Sequence, residues 1–278
     1  MSGNAPARGR SSSGYRRPRH RRMLTLTVRG VERVSPHFVS ITLGGEDFQH
    51  LEQVGYDQAG RLFFAGPGQS EVVLPSSEKW MLQQALQSGR RRARVRSYSI
   101  RRFRPEGSAF DVEISLHEGR DPGPGAAWAM ATRPGDVVAF LDEGCGYAPP
   151  PDATWQLLVG DESALPAILA ILERSTVALP AEVFLEVPGS EDIRHGITGP
   201  ATTKIHWLPR NDPSARPGAL ALHAVRDAHL PPGPFYTWVA GESALATGAR
   251  RHLVDDRGVP KSDIAFRGYW RHGRAGLG

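Results

Sequence analysis

A chain of 278 residues has room for about two ordinary domains. Hydrophobic residues at 40% and charged residues at 23% are a globular composition. No stretch approaches the ~20 apolar residues that span a bilayer, so a soluble protein with no membrane partner is expected. The single cysteine, Cys145, excludes an internal disulfide, a four-cysteine iron–sulfur cluster and a cysteine-rich zinc site. Redox chemistry would then rest on a bound organic cofactor, with no metal site.

The formal net charge of +5 is decided by where the bases sit. Residues 1–22 hold seven arginines and no acid, which leaves 27 bases against 29 acids in the rest of the chain. Such a Ser, Gly, Pro and Arg segment cannot bury enough apolar surface to fold, so residues 1–22 are expected to be a disordered basic tail. Binding of nucleic acid or an anionic membrane through this tail is the competing reading; the near-neutral body argues against a nucleic-acid partner. No apolar core follows the basic start, so no secretory signal is read. Its Arg- and Ser-rich character resembles a transit peptide, but the scattered Gly and Pro oppose an amphipathic helix. A cytoplasmic protein is expected.

From residue 23 the pattern becomes regular. Residues 24–29 and 38–43 alternate apolar and polar, the mark of half-buried strands, and residues 61–64, 95–101, 110–116 and 137–141 continue the series. Short strands at this density predict an antiparallel β-barrel domain over 23–148. Cys145, between Gly144 and Gly146, reads as a loop residue. The run Ala148-Pro149-Pro150-Pro151 marks a domain boundary. Beyond it, apolar strands at 155–160, 182–187, 203–208, 238–241 and 264–269 alternate with helices at 163–174, 220–228 and 243–255. That alternation predicts an α/β domain with a parallel sheet over 152–273.

Four segments carry chemistry. In Arg96-Ser97-Tyr98-Ser99, residues two apart share a strand face, so Arg96 and Tyr98 project together and Ser99 turns away. A guanidinium for phosphate and a phenol for a flat ring suit a nucleotide cofactor; an exposed Arg–Tyr pair is the alternative. In Gly123-Pro124-Gly125-Ala126-Ala127-Trp128-Ala129 a glycine-rich loop enters a helix whose first N–H groups suit a pyrophosphate, or it simply caps that helix. Gly160-Asp161-Glu162-Ser163-Ala164 and Gly241-Glu242-Ser243 end two strands of the parallel sheet, where such folds bind ligands; helix caps are the plainer reading. Tyr269-Trp270, flanked by Arg267 and Arg271, suits stacking on a ring or anchoring of the terminal strand.

Taken in order, these segments resemble the siderophore-interacting protein family, FAD-containing ferric-siderophore reductases related to ferredoxin–NADP reductases. The likeness runs from about Leu24 to Gly273 and includes Gly55-Tyr56-Asp57-Gln58 and Pro134-Gly135-Asp136. It implies a barrel domain binding FAD, then an α/β domain binding NAD(P)H, with electrons passing through the flavin to a ferric siderophore. Arg96 would pair with an FAD phosphate, Ser97 would also contact the cofactor, and Tyr98 would lie against the flavin or its ribityl chain. Ser99 would reach the flavin N5 region, making Tyr98 and Ser99 the catalytic pair. His117 and the backbone of Gly125, Ala126 and Ala127 would hold the rest of the cofactor. Asp161, Glu162, Ser163, Ala164, Gly241 and Glu242 would form the nicotinamide side, with Tyr269 and Trp270 closing over the flavin. Arg61 and Arg271 are the candidates for an anionic siderophore. Glu186, near the end of a strand, is placed to read a ribose hydroxyl. A monomer is expected. A flavin oxidoreductase with another acceptor, or with a ferredoxin-like donor, is the alternative.

Overall fold

The computed structural model describes residues 14–69, 71–116, 123–175 and 179–273. In β1 (Met23–Ser35), Leu24, Leu26 and Val28 are buried at alternate positions, and β2 (Phe38–Gly44) pairs back on it. The domain continues through β3 (Ala59–Phe64), α1 (Trp80–Ala85), β4 (Arg94–Ser99), β5 (Arg102–Arg104), β6 (Ala109–Ser115), α2 (Pro124–Ala131) and β7 (Val137–Gly144). The seven strands form one antiparallel sheet in the order β4-β3-β7-β1-β2-β6-β5. Its edges are linked by two residues: Ile100 N–H donates to Gln58 O and Arg101 N–H to Asp111 O. The sheet thus curls toward a barrel around Leu26, Ile41, Leu62, Phe110 and Phe140, plugged by Trp128 of α2. Burying such side chains stabilises by roughly 1.5–3 kcal/mol each.

Three local expectations change. The strand expected over 95–101 ends at Ser99, because Ile100 and Arg101 form the crossing to β5. Residues 14–22 are not a free tail. Arg16 exchanges backbone bonds with Cys145 (2.9 Å each), Tyr15 Oη donates to Glu143 O (2.6 Å), and Arg21 Nε donates to Asp142 O (2.9 Å). Backbone pairing needs no apolar side chain, so composition alone missed it. Cys145 is buried in that pairing, and burial pushes its thiol up, away from thiolate reactivity.

The second half contains β8 (Trp155–Gly160), α3 (Leu165–Arg174), β9 (Ala181–Val187), β10 (Lys204–Pro209), α4 (Ala219–Asp227), β11 (Phe235–Glu242), α5 (Ser243–Asp255) and β12 (Ile264–Trp270). All pairs are parallel, in the order β10-β9-β8-β11-β12. The order reverses between β8 and β11, so their C-terminal ends flank a switch-point crevice. One sheet face packs on α3 and the other on α4 and α5. Among the described residues no helix is long and apolar enough to cross a membrane.

Polar contacts join the halves. Arg101 grips Glu173 through two bonds of 2.6 and 2.7 Å. The Asp57 carboxylate accepts from Gly146 N–H (3.0 Å), Tyr147 N–H (2.9 Å) and the Trp238 indole (2.9 Å). Asp192 accepts from Ser35 Oγ (2.6 Å) and pairs with His37 Nδ1 (2.7 Å). Burial pushes the Asp192 carboxyl up, but the Ser35 and His37 bonds outweigh it and hold it below its ordinary range.

Candidate active site at the domain junction

The barrel side begins with β4. Register with β3 pairs Arg96 with Leu62 and Tyr98 with Gly60, which places both side chains on the inward face. Ser97, paired with Arg61, lies on the opposite face. Arg96 and Tyr98 meet the first turn of α2 at Gly125. A Cβ there would collide with the Tyr98 hydroxyl and lie 3.8 Å from the Arg96 side chain. Gly125 is therefore required by close approach.

The α2 N-terminus has Gly123 at its cap, no side-chain cap bond and Pro124 in the first turn. Ala127 N–H donates to Gly123 O (3.0 Å), so only the Gly125 and Ala126 amides are left for a ligand, one fewer than expected. An uncapped amide pair beside a guanidinium fits a pyrophosphate. His117 lies outside the described residues.

At the far end of β4 the buried Ser99 lies beside the Tyr269 phenol of β12. Two segments 170 residues apart thus meet at the junction. Burial pushes the Tyr98 and Tyr269 phenols well above their usual range, so both stay protonated. Trp270 lines the neighbouring crevice, and its carbonyl accepts from Ser243 Oγ (2.7 Å).

The switch point carries the two acid-bearing loops. Asp161 is fully buried and accepts from Ser163 N–H (2.9 Å), Ser163 Oγ (2.6 Å) and Glu242 N–H (2.6 Å). Gly241 has φ +135°, and a Cβ there would lie 2.7 Å from the Asp161 carboxylate. Burial, then the neighbouring Glu162, push the Asp161 carboxyl up to about 7. A carboxyl so raised stabilises the fold fully below its ordinary value of 3.8, and that contribution is lost as pH rises through about 7. Asp161→Asn is therefore expected to flatten the pH dependence of unfolding free energy between about pH 4 and 7. An unchanged slope in denaturant titrations would contradict this.

The remaining acids are held by partners that the sequence did not show. Glu162 receives Arg210 through two bonds (2.9 and 3.0 Å), and Glu186 receives the same guanidinium at 2.6 Å. Glu186 also accepts from Gly218 N–H (2.9 Å) and Ala221 N–H (3.1 Å) at the start of α4. This corrects the ribose-reading role: Glu186 is fully buried and ties β9 to α4 and Arg210. Glu242 accepts from Ala244 N–H (2.6 Å), His272 N–H (3.1 Å) and Arg216 (3.0 Å). Burial raises its carboxyl, but these bonds outweigh burial and hold it low. Arg210 follows β10 at the ligand-binding edge of the sheet, a position that could have flagged it. Ala164 is buried against Gly160 and leads into α3.

A crevice of about 450 Å³ opens there, lined by Glu162, Arg210, Asp212, Trp270, His272 and His37. A second cavity of about 340 Å³ lies beneath β11 and β12, lined by Asp57, Tyr15, Lys261, Arg267 and Tyr269. Neither expected siderophore arginine lines either space. Arg61 sits on the outer sheet face, paired with Glu143 (2.7 Å) and 4.9 Å over the Trp80 ring. Arg271 is exposed on the surface between Trp270 and His272. Among the described residues no group of three or more His, Cys, Asp or Glu could hold a metal ion.

This architecture is the ferredoxin-reductase fold. The crystal structure of a ferredoxin–NADP+ reductase from Neisseria gonorrhoeae with bound FAD and NADP matches with a TM-score of 0.58, at 14% identity, over 89% of this chain and 99% of that one. Nearer likenesses are a siderophore utilization protein from T. fusca (TM-score 0.77, 29% identity, 92% of this chain and 95% of that one) and the siderophore-interacting protein SipS from Aeromonas hydrophila (0.73, 28%, 91% and 93%). Residues 27–145 match the siderophore-interacting FAD-binding domain, and residues 153–273 the siderophore-interacting protein model. The ferric vibriobactin reductase ViuB of Vibrio cholerae is 30% identical over 253 residues, 87% of this chain and 86% of that protein. The chain belongs to the siderophore-interacting protein family and is an FAD-dependent oxidoreductase.

Proposed function

We propose that this protein reduces ferric siderophores, taking electrons from NAD(P)H through FAD and releasing Fe(II). The observation that carries the reading is the approach of Arg96 and Tyr98 to the uncapped α2 start at Gly125, with Ser99 of the same strand beside Tyr269 at the domain junction. Bound FAD would supply the exchange between a two-electron nicotinamide donor and one-electron ferric iron. The chain's own residues bind, orient and exclude water. Arg96 with the Gly125 and Ala126 amides holds the pyrophosphate, Tyr98 lies against the flat ring, and Ser99 and Tyr269 offer hydroxyls at its reactive edge. Trp270 and the crevice beside it, lined by Glu162, Arg210 and His272, receive the nicotinamide.

Arg210 is the one Lys or Arg lining that crevice among the described residues, and two carboxylates already hold it. An added 2′-phosphate finds no free cation there, so NADH is the preferred donor. The cavity beside Tyr269 carries Lys261 and Arg267 against Asp57, so an anionic ferric chelate approaches there, in place of Arg61 or Arg271. No protein ligand to iron is needed, because Fe(II) is held weakly by the hard oxygens that hold Fe(III).

The test is an anaerobic mixture of protein, FAD, NADH or NADPH and several ferric chelates with a ferrous-trapping dye. Dye colour with NADH, weakened several-fold in KM for the chelate by Arg267→Ala, is expected. A flavin spectrum with electrons passing to quinones but to no ferric chelate would overturn the substrate assignment. Reduction by a ferredoxin-like protein but not by NAD(P)H would overturn the donor. A nicotinamide donor supports a cytoplasmic reaction. Both halves of the site come from one chain, so a monomer suffices, checked by light scattering.

A further inference from the structure

The outer face of the curled sheet carries a feature that this chemistry does not use. Helix α1 buries Trp80 and Gln84, one turn apart, against Phe63 and the sheet. Its opposite side is apolar where a surface helix is ordinarily polar. Met81, Leu82 and Leu86 are 69%, 61% and 77% exposed, with exposed Ala85 between them. Around them stand Lys79, Arg90, Arg91, Arg92 and Arg94, all exposed. Over residues 71–94 those five bases face two acids, Glu71 and Glu78, on a body that otherwise carries more acid than base.

We infer that this face is a peripheral docking site for an anionic lipid bilayer: Met81, Leu82 and Leu86 enter the headgroup boundary while the flanking bases meet the negative surface. Apolar side chains ringed by Lys and Arg are the chemistry of interfacial binding. A stable protein partner needs about 20–30 residues a side, far more than this small face offers. A bilayer needs no matching surface. The patch also lies at the Arg94 end of β4, about 17 Å along the strand from Ser99, counting ~3.3 Å per residue, so a redox protein docked there would sit away from the reactive edge.

The test is co-sedimentation of the full chain with vesicles of pure phosphatidylcholine or of phosphatidylcholine with about a third phosphatidylglycerol. Binding to the anionic vesicles at least tenfold above the neutral ones, falling with salt, is expected. Met81→Ser/Leu82→Ser/Leu86→Ser should weaken it at least tenfold without lowering thermal stability, since these side chains are exposed. Arg90→Gln/Arg91→Gln/Arg92→Gln should weaken it by about fivefold per base removed. Absence of vesicle binding overturns the proposal. So does binding that survives both triple variants, which would assign it to the N-terminal arginines. A concentration-dependent dimer abolished by the apolar triple, without vesicle binding, would overturn it in favour of a second copy of this chain.

Discussion

Arg210→Met is expected to destabilise the α/β domain by about 3–5 kcal/mol at pH 8, read as a shift of the denaturant midpoint. The guanidinium is 7% exposed and serves Glu162 and Glu186, both fully buried. Removing one partner of a buried ion cluster leaves the carboxylates' desolvation without its compensating charge, and the pair sits where three strand ends meet. Arg210→Lys keeps the charge but loses the two-pronged grip on Glu162, so an intermediate loss is expected. A wild-type midpoint for Arg210→Met at pH 8 would show that the cluster bears no weight in the fold.

The same cluster shows what a sequence carries and what it withholds. Strands with clean alternation, such as β1, β2 and β6, and the continuous apolar run of β8, were legible because their periodicity is local. The shared face of Arg96 and Tyr98 followed from strand geometry. Asp161, Glu162 and Glu242 were singled out, but the partners that hold them were not legible. They build the loops through bonds to Ser163, Arg210 and backbone amides, and no local pattern announces a partner 48 residues away. The same holds for Asp57, whose bond to Trp238 joins the domains across 181 residues. Helix α1 escaped because it is six residues long, lacks a capping side chain and turns its apolar side outward, against the period that marks a buried helix. Residues 14–22 escaped because strand-like backbone bonds to Cys145 are blind to side-chain composition.

The decisive measurement on the barrel side concerns Gly125. Gly125→Ala is expected to raise the FAD dissociation constant about 10- to 100-fold, measured by flavin fluorescence on added cofactor. The new methyl group collides with the Tyr98 hydroxyl, so the phenol must swing off the start of α2 and carry the neighbouring Arg96 side chain with it. A charge-assisted bond to phosphate contributes about 1.5–3 kcal/mol, so misplacing that guanidinium alone accounts for such a factor. The double variant separates this from simple damage to the helix. Removing the hydroxyl with Tyr98→Phe leaves the nearest ring carbon 3.3 Å from the added methyl, a contact that a small shift relieves. Gly125→Ala/Tyr98→Phe should then bind FAD more tightly than Gly125→Ala, although Tyr98→Phe alone weakens binding. That reversal of sign is a coupling between touching residues, which independent sites do not show. If Gly125→Ala binds FAD as the parent chain does, the Tyr98–α2 contact lies outside the cofactor site, and the barrel must grip its flavin by some other face.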